Sequence, residues 1–340
     1  MKNTVILGSG GWGTAVALAA HRCGIDVTVW SAFQDEIDRI VSTRENPLLE
    51  GIKLPEDMKF TSDINCVKDI DMCIIAVPSF AVDDVAGKLA GLISPCSIIV
   101  SISKGFDKNS CERLSEVIER HLPDNPIVVL SGPSHAEEVA RAIPTALVSA
   151  SNNEAAAVAV RECMSTDKLR IYSSQDIVGV ELGGSIKNII ALAAGMCDGM
   201  GFGDNTKAAL LTRGLREIAR LGVAMGARKD TFAGLSGMGD LIVTCTSMHS
   251  RNRRCGILIG EGTPVSQALA QIGTVEGYHA SALVNRLAQK YGVSMPICES
   301  CYKVCYENGD PNAEMIKLMA RPNTHEDEGA SWWSVYGEEE

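Results

Sequence analysis

Three consecutive stretches decide the fold: Thr4-Val5-Ile6-Leu7, then Gly8-Ser9-Gly10-Gly11-Trp12-Gly13, then Thr14-Ala15-Val16-Ala17-Leu18-Ala19-Ala20. An apolar strand enters a glycine turn and leaves it as an Ala-rich helix. Gly8 suits the tight turn, Gly10 lets the backbone approach a pyrophosphate, and Gly13 lets helix and strand pack closely. The helix N-terminus then offers unpaired N–H groups and the positive end of its dipole to phosphates. Glycine clusters also serve simple loops, but here the turn sits in the strand-turn-helix order that a dinucleotide site requires. Such a site reads the ribose with an acid at the end of the second strand, about 20 residues on. That position is Trp30-Ser31; the first acids come at Asp35 and Glu36 and the first arginine at Arg39. NAD against NADP stays open.

Working outward, apolar β-rich runs at Thr4–Leu7, Val27–Trp30, Met72–Val77, Ser97–Ser101, Ile127–Leu130, Thr145–Ser149 and Leu169–Tyr172 alternate with helical patterns. The helices are Thr14–Cys23, Ala81–Leu92, Cys111–His121 and Ala155–Met164. This alternation predicts an α/β unit, a Rossmann-like doubly wound, largely parallel sheet covered on both faces. After about Gln175 only helical periodicity remains, in Val178–Cys197, Thr206–Met225, Arg253–Ile259, Val265–Ala270, Ser281–Tyr291 and Pro296–Glu307. The expected division is an N-terminal dinucleotide-binding domain over 1–177 and an all-helical C-terminal domain over 178–340, with the long helix near Val178 shared between them. The polar tail, with Trp332-Trp333, is expected to be partly disordered after about 322.

At 340 residues, 46% hydrophobic and 21% charged, with Gly 32 and Pro 12, the chain can build two cores and is not disordered, collagen-like or a coiled coil. A net charge of -11 argues against nucleic acid or an anionic membrane as the main partner, though a local cationic pocket can still take an anionic small molecule. No apolar run reads as approaching the roughly 18–20 residues of a membrane span; the longest, around Ile186 to Cys197, carries Lys187 and ends at Asp198. The N-terminus imitates a signal peptide only superficially and is expected to be folded protein. Twelve cysteines without a regular framework suit a reducing cytoplasm.

Four further segments read as site rather than scaffold. Ser103-Lys104-Gly105 and Ser131-Gly132-Pro133-Ser134-His135 each follow a strand at the carboxyl edge of the sheet, where open α/β sheets bind ligands. Either alone reads as an ordinary loop. In Glu181-Leu182-Gly183-Gly184-Ser185-Ile186-Lys187-Asn188, the helical neighbours of Lys187 are Gly183, Gly184, Ile190 and Ala191, so its ammonium has no intrahelical carboxylate and points into a packed interface. Burial and nearby cations lower a lysine pKa into the range of general acid–base work at neutral pH. The plainer alternative is a lysine snorkelling from a helix end, which its mid-helix position disfavours. The fourth segment runs from Gly234 to Asp240 and on through Ser250-Arg251-Asn252-Arg253-Arg254. Ser250 is an N-cap, which puts Arg251 and Asn252 in the first turn of a helix, where a phosphate would meet backbone N–H groups, an Arg fork and an amide. A basic patch for nucleic acid would want interleaved aromatics. Cys298, Cys301 and Cys305 share one helix face without a fourth ligand, so core packing is expected and no metal. His135 and His249 lie near candidate site loops, where either could serve as a base, but single histidines are more often structural.

Together with Val77-Pro78-Ser79 and Val275-Glu276-Gly277, these segments resemble the NAD(P)-dependent glycerol-3-phosphate dehydrogenases of bacterial type, nearly throughout the chain up to about Pro322. The resemblance implies a cytoplasmic oxidoreductase that interconverts dihydroxyacetone phosphate and glycerol 3-phosphate for phospholipid synthesis, with a small phosphate substrate and NAD or NADP as cofactor. Carried over by position, it implies Lys187 as the proton acceptor. Lys104, Gly132, Ser134, Asp240, Ser250, Arg251 and Asn252 would contact the substrate. Gly11, Trp12, Lys104, Ala136, Arg251, Val275 and Glu276 would touch the cofactor. The chain departs from many relatives at Gly11 (often Ser), Ser31 (often Arg or His) and His135 (often Phe), which bears on cofactor preference. The rival readings are a related β-hydroxyacid or 6-phosphogluconate-type dehydrogenase and a non-catalytic nucleotide sensor. A homodimer is compatible with the sequence, which does not fix the oligomeric state.

Overall fold

The computed structural model describes residues 1–322. The expected disorder of the tail and Trp332-Trp333 lie outside the described residues. Eight strands are present: β1 Asn3–Leu7, β2 Asp26–Trp30, β3 Lys59–Thr61, β4 Met72–Ile75, β5 Ile98–Ser101, β6 Ile127–Ser131, β7 Thr145–Ala150 and β8 Leu169–Ser174. Six helices lie among them: α1 Gly11–Arg22, α2 Gln34–Thr43, α3 Val82–Leu89, α4 Leu114–His121, α5 Ala136–Ala140 and α6 Glu154–Met164. Eight more follow: α7 Ile177–Gly199, α8 Asp204–Ala224, α9 Asp240–Thr246, α10 Arg251–Gly260, α11 Val265–Ile272, α12 Glu276–Tyr291, α13 Pro296–Tyr306 and α14 Pro311–Met319.

The strands form one sheet in the order β3-β2-β1-β4-β5-β6-β7-β8. Every pair is parallel except β6 with β7, where Leu130 faces Ser149. The strand order reverses between β1 and β4, and a crevice opens at the carboxyl ends of those strands, the usual ligand position in such sheets. Side-chain alternation feeds two cores. Ile6, Met72 and Ile74 pack with α1 and α6 on one face, while Val5, Leu7, Cys73 and Ile75 pack with α3 and α4 on the other. Each fully buried Ile or Leu contributes about 1.5–3 kcal/mol.

Several elements depart from the sequence reading, which also did not include the short helices α5 and α9 or the last helix α14. β3 is an edge strand of three residues, too short to show a pattern. Helix α2 was hidden because it buries only Ile37 and Ile40. Helix α12 starts at Glu276, five residues before the expected Ser281, because Val275 is its N-cap.

Helix α7 is the spine of the helical half. Its first turn packs Ile177 and Val180 on Val129 and Ala150 of the sheet, and the rest is enclosed by α8, α9, α10, α12 and α13. At 23 residues, with a mean hydropathy of 1.5 over an 18-residue stretch, it is long and apolar enough to cross a membrane, which corrects the expectation that no run approaches that length. Its surface is buried inside the protein. Cys298 and Cys301 pack in the core around α7, and Cys305 in the smaller cluster beside α10; burial raises all three thiols.

Candidate active site

The glycine turn opens the crevice. Gly8 adopts φ +128, and a Cβ there would lie 2.7 Å from the Ala76 carbonyl oxygen, so only glycine lets β1 turn this close to β4. Its N–H donates to Trp30 O at 2.8 Å, tying the turn to the end of β2. Gly10 is the N-cap of α1, gives it no side-chain cap, and has nothing within 4 Å of where a Cβ would stand. Gly11 stands beside Leu48 and Ala136, with Ala136 Cβ 3.9 Å from the position a Cβ would take. Trp12 Nε1 is buried without a hydrogen-bond partner among the described residues. Open space over an uncapped helix N-terminus, with an orphaned indole N–H beside it, fits the pyrophosphate of a dinucleotide.

Across the crevice, Lys187 and Asp240 form a buried ion pair, with side-chain exposures of 5% and 1%. Lys187 Nζ also donates to Thr244 Oγ1 at 2.6 Å, and Thr244 donates to the Asp240 carbonyl at 2.6 Å. Lys104, arriving from the loop after β5, donates to the other Asp240 oxygen at 2.7 Å and reaches Gly132 O at 3.5 Å. Ser134 Oγ donates to that same Gly132 carbonyl at 2.8 Å. One carboxylate therefore holds two ammonium groups from opposite lobes. Burial pulls the Lys187 pKa down to about 7; Asp240 acts against that shift and Lys104 adds to it. Ser131 Oγ, buried and without a partner among the described residues, borders Gly184 on the same side of α7.

The helix start expected at Ser250 is present, with Arg251 as the first residue of α10. Ser250 Oγ accepts from Arg253 N at 3.2 Å as the N-cap of α10, so its hydroxyl serves the helix. Arg251 is exposed and Asn252 buried. Asn252 Nδ2 donates to Asn188 Oδ1 at 3.0 Å, while its own oxygen accepts from Gly277 N at 2.8 Å. Asn188 follows Lys187 on α7, so the candidate phosphate anchor is bonded to the residue next to the lysine. The α7–α10 crossing is glycine against glycine: Gly195 and Gly199 face Gly256 and Gly260 with backbone in contact. Arg253 takes no part in the anchor, being paired with Asp198 at 2.7 Å.

Glu276 closes the crevice. It accepts from Ser79 Oγ at 3.2 Å across the lobes, and burial raises its pKa against the pull of Ser79 and Arg251. Val275 is buried in the core, which leaves only its backbone to face a ligand. His135 lies against His249 with ring centres 5.5 Å apart and planes tilted by 48°, and burial lowers its pKa. Thr244 is the site residue that sequence reasoning missed; the signal was its position four residues after Asp240, on a helix too short to read. Ser79, Ser185 and Asn188 stood in quoted motifs without a role. Among the described residues no group of three or more His, Cys, Asp or Glu is placed to hold a metal.

Two family models match the chain: the NAD-dependent glycerol-3-phosphate dehydrogenase N-terminus over residues 3–157 and the corresponding C-terminus over residues 176–316. The chain is 47% identical over 328 residues to the glycerol-3-phosphate dehydrogenase [NAD(P)+] of Desulfitobacterium hafniense strain Y51, covering 96% of this chain and 93% of that one. It is 48% identical over 323 residues to the enzyme of the same name from Thermoanaerobacter sp. strain X514, covering 94% and 98%. The crystal structure of glycerol-3-phosphate dehydrogenase from Coxiella burnetii superposes with a TM-score of 0.91 at 39% identity, covering 94% of this chain and 99% of that one.

Proposed function

The chain belongs to the NAD-dependent glycerol-3-phosphate dehydrogenase family and is an NAD(P)-dependent oxidoreductase, and on that premise we propose how its own residues carry the reaction. The substrate pair is dihydroxyacetone phosphate and sn-glycerol 3-phosphate, and the bound nicotinamide supplies or takes the hydride. The phosphate sits on the first turn of α10, where the N–H groups of Arg251 and Asn252, the Arg251 guanidinium and the helix dipole meet a dianion. That contact fixes the substrate's second carbon beside Lys187. In the reducing direction the Lys187 ammonium stabilises the developing alkoxide and then protonates it; in the oxidising direction the neutral amine accepts the hydroxyl proton. Asp240 holds Lys187 and Lys104 in register, and Lys104 with the Gly132–Ser134 loop orients the substrate oxygen.

The observation that carries this reading is the buried lysine held at about 7 by desolvation, with a carboxylate and a second ammonium beside it. The relatives' names favour a phosphate-ester substrate over the β-hydroxyacid alternative, and a redox sensor would need neither the lysine nor the anchor. Twelve free cysteines support a reducing, cytoplasmic setting, and in that setting the enzyme would supply glycerol phosphate for phospholipid synthesis. The test follows absorbance at the reduced-nicotinamide band with dihydroxyacetone phosphate. Wild-type protein oxidises the cofactor, and Lys187→Ala lowers turnover by at least about a hundredfold, the scale of one general acid–base group. A variant with near-normal turnover removes Lys187 from the chemistry.

A further inference from the structure

The acid that reads the ribose in an NAD site is missing from the end of β2, where the chain has Ser31, yet the structure returns one to that place. Glu36, in the first turn of α2, folds back over the strand end. Its Oε2 accepts from Ser9 Oγ at 2.7 Å and from Ser31 Oγ at 2.8 Å. Ser9 is the second residue of the glycine turn and Ser31 the first after β2, so the carboxylate bridges the two segments that flank the adenosine side of the crevice. The turn itself is tied to Trp30 through Gly8 N. Both hydroxyls converge on Oε2, which leaves Oε1 without a partner among the described residues.

We infer that Glu36 makes this dehydrogenase prefer NAD(H) over NADP(H), by accepting hydrogen bonds from the adenosine ribose and repelling a 2′-phosphate. The inference rests on the dinucleotide reading of the glycine turn. Residues Ser31 to Asp38 contain three acids and no Lys or Arg. Arg39 lies three positions beyond Glu36, about 4.5 Å further along α2 and away from the strand end, with its side chain exposed. Arg44 is committed elsewhere, donating to the carbonyls of Met58 and Glu56. A phosphate dianion entering here meets the fixed carboxylate first, with Arg39 one helical turn further from the strand end, and like charges at contact distance repel strongly where solvent is partly excluded. Two serine hydroxyls hold that carboxylate in place, so it does not swing away from the incoming charge.

The measurement is kcat/KM for NADH and for NADPH at saturating dihydroxyacetone phosphate, in wild type and in Glu36→Gln. Wild type favours NADH by at least about tenfold. In Glu36→Gln the ratio narrows by about tenfold or more, through a lower KM for NADPH with kcat little changed, because the amide oxygen still accepts from Ser9 and Ser31 while the outward atom becomes an uncharged donor. Wild-type parity or an NADPH preference overturns the inference, as does an unchanged ratio in a variant that melts like wild type. A binding arm needs neither turnover nor the variant: 5′-AMP binds wild type more tightly than adenosine 2′,5′-bisphosphate, and the reverse order also overturns it. If neither cofactor is oxidised, the dehydrogenase reading fails, while the nucleotide comparison still decides the role of Glu36.

Discussion

A lysine in the middle of an apolar helix keeps its proton only where neighbouring groups offset the lost water. At Lys187 the offset comes from Asp240 and Thr244, and it is incomplete, because Asp240 also holds Lys104. Folding therefore lowers the pKa from the model-peptide value of 10.5 to about 7. The sign follows directly. Below about 7 the folded chain carries a buried ammonium, and between about 7 and 10.5 the unfolded chain binds the extra proton, so this group's contribution to stability rises with pH across that window. Catalysis inherits the same titration. The kcat/KM for dihydroxyacetone phosphate is expected to fall as pH rises through about 7, since reduction needs the ammonium, and the kcat/KM for glycerol 3-phosphate to rise through the same pH. Parallel limbs in the two directions would assign the titration to another group. The ion pair behind this behaviour was not visible as a pattern, because Lys187 and Asp240 stand 53 residues apart and each looks unpartnered on its own helix. Lys187 itself was legible, from the absence of any carboxylate one turn away. Of the residues that bond it, Asp240 was recoverable only through resemblance, and Thr244 was missed.

At the scale of elements, the site depends on how closely α10 approaches α7. Small residues set that distance. A Cβ at Gly256 would overlap the Leu192 carbonyl and come within 2.8 Å of Met196 N, and since both are helical backbone, neither can step aside. Gly256→Ala must push the helices apart, a form of overpacking that costs about 1–3 kcal/mol. The N-terminus of α10 carries the proposed phosphate anchor, and a displacement near 1 Å at such a point can lower rates by about a hundredfold. Thermal unfolding and steady-state kinetics should show both a lower Tm and a higher KM for dihydroxyacetone phosphate. Gly203→Ala, at a position with nothing within 4 Å and φ -87, should leave the KM near wild type and lower Tm only by the loss of a glycine N-cap on α8. These glycines also explain what the sequence hid. Gly234 to Gly239 reads as a loop, yet it winds as a turn of wide helix leading into α9, packed so tightly on α7 that a Cβ at Gly183 would lie 2.6 Å from Ser236 O. Periodicity finds helices by their apolar stripe, and backbone packed on backbone leaves no stripe to find. The parallel strands were easy for the opposite reason, because burial on both faces writes them as unbroken apolar runs.

For the whole molecule, the question is what makes two lobes hold one crevice. Three contacts join them along α7. Ser185 Oγ accepts from Gly105 N at 2.9 Å and donates to Gly105 O at 3.2 Å, which fixes the Lys104 loop. Asp176 caps the first turn of α7 through Gly179 N at 2.9 Å, while its other oxygen takes Arg228 N at 2.9 Å and Thr231 Oγ1 at 2.5 Å from the helical half. Glu181, buried, reaches into the sheet domain, where it accepts from Ser115 N at 2.9 Å, Ser115 Oγ at 2.6 Å and Arg113 at 2.9 Å. Its pKa is raised, since burial outweighs the opposing pull of Arg113 and Ser115, so the carboxylate stays there because its hydrogen bonds and shape are matched, not because the charge pair is favourable in itself. Two substitutions separate those contributions. Glu181→Ala strips three hydrogen bonds and leaves Arg113 with Glu116 as its one carboxylate partner beside Ser115 Oγ, and is expected to lower the unfolding free energy by about 3–5 kcal/mol. Glu181→Gln keeps one acceptor for Ser115 N and offers its amide N–H to Ser115 Oγ while removing the buried charge, and should lose less than half as much. Urea denaturation at pH 7 measures both. Residue 181 lies six positions from Lys187, about 9 Å along the helix, so the glutamine variant should retain turnover if the lobes stay joined. Equal losses for the two variants would mean that the charge, and not the hydrogen-bond geometry, locks the sheet to the helical half.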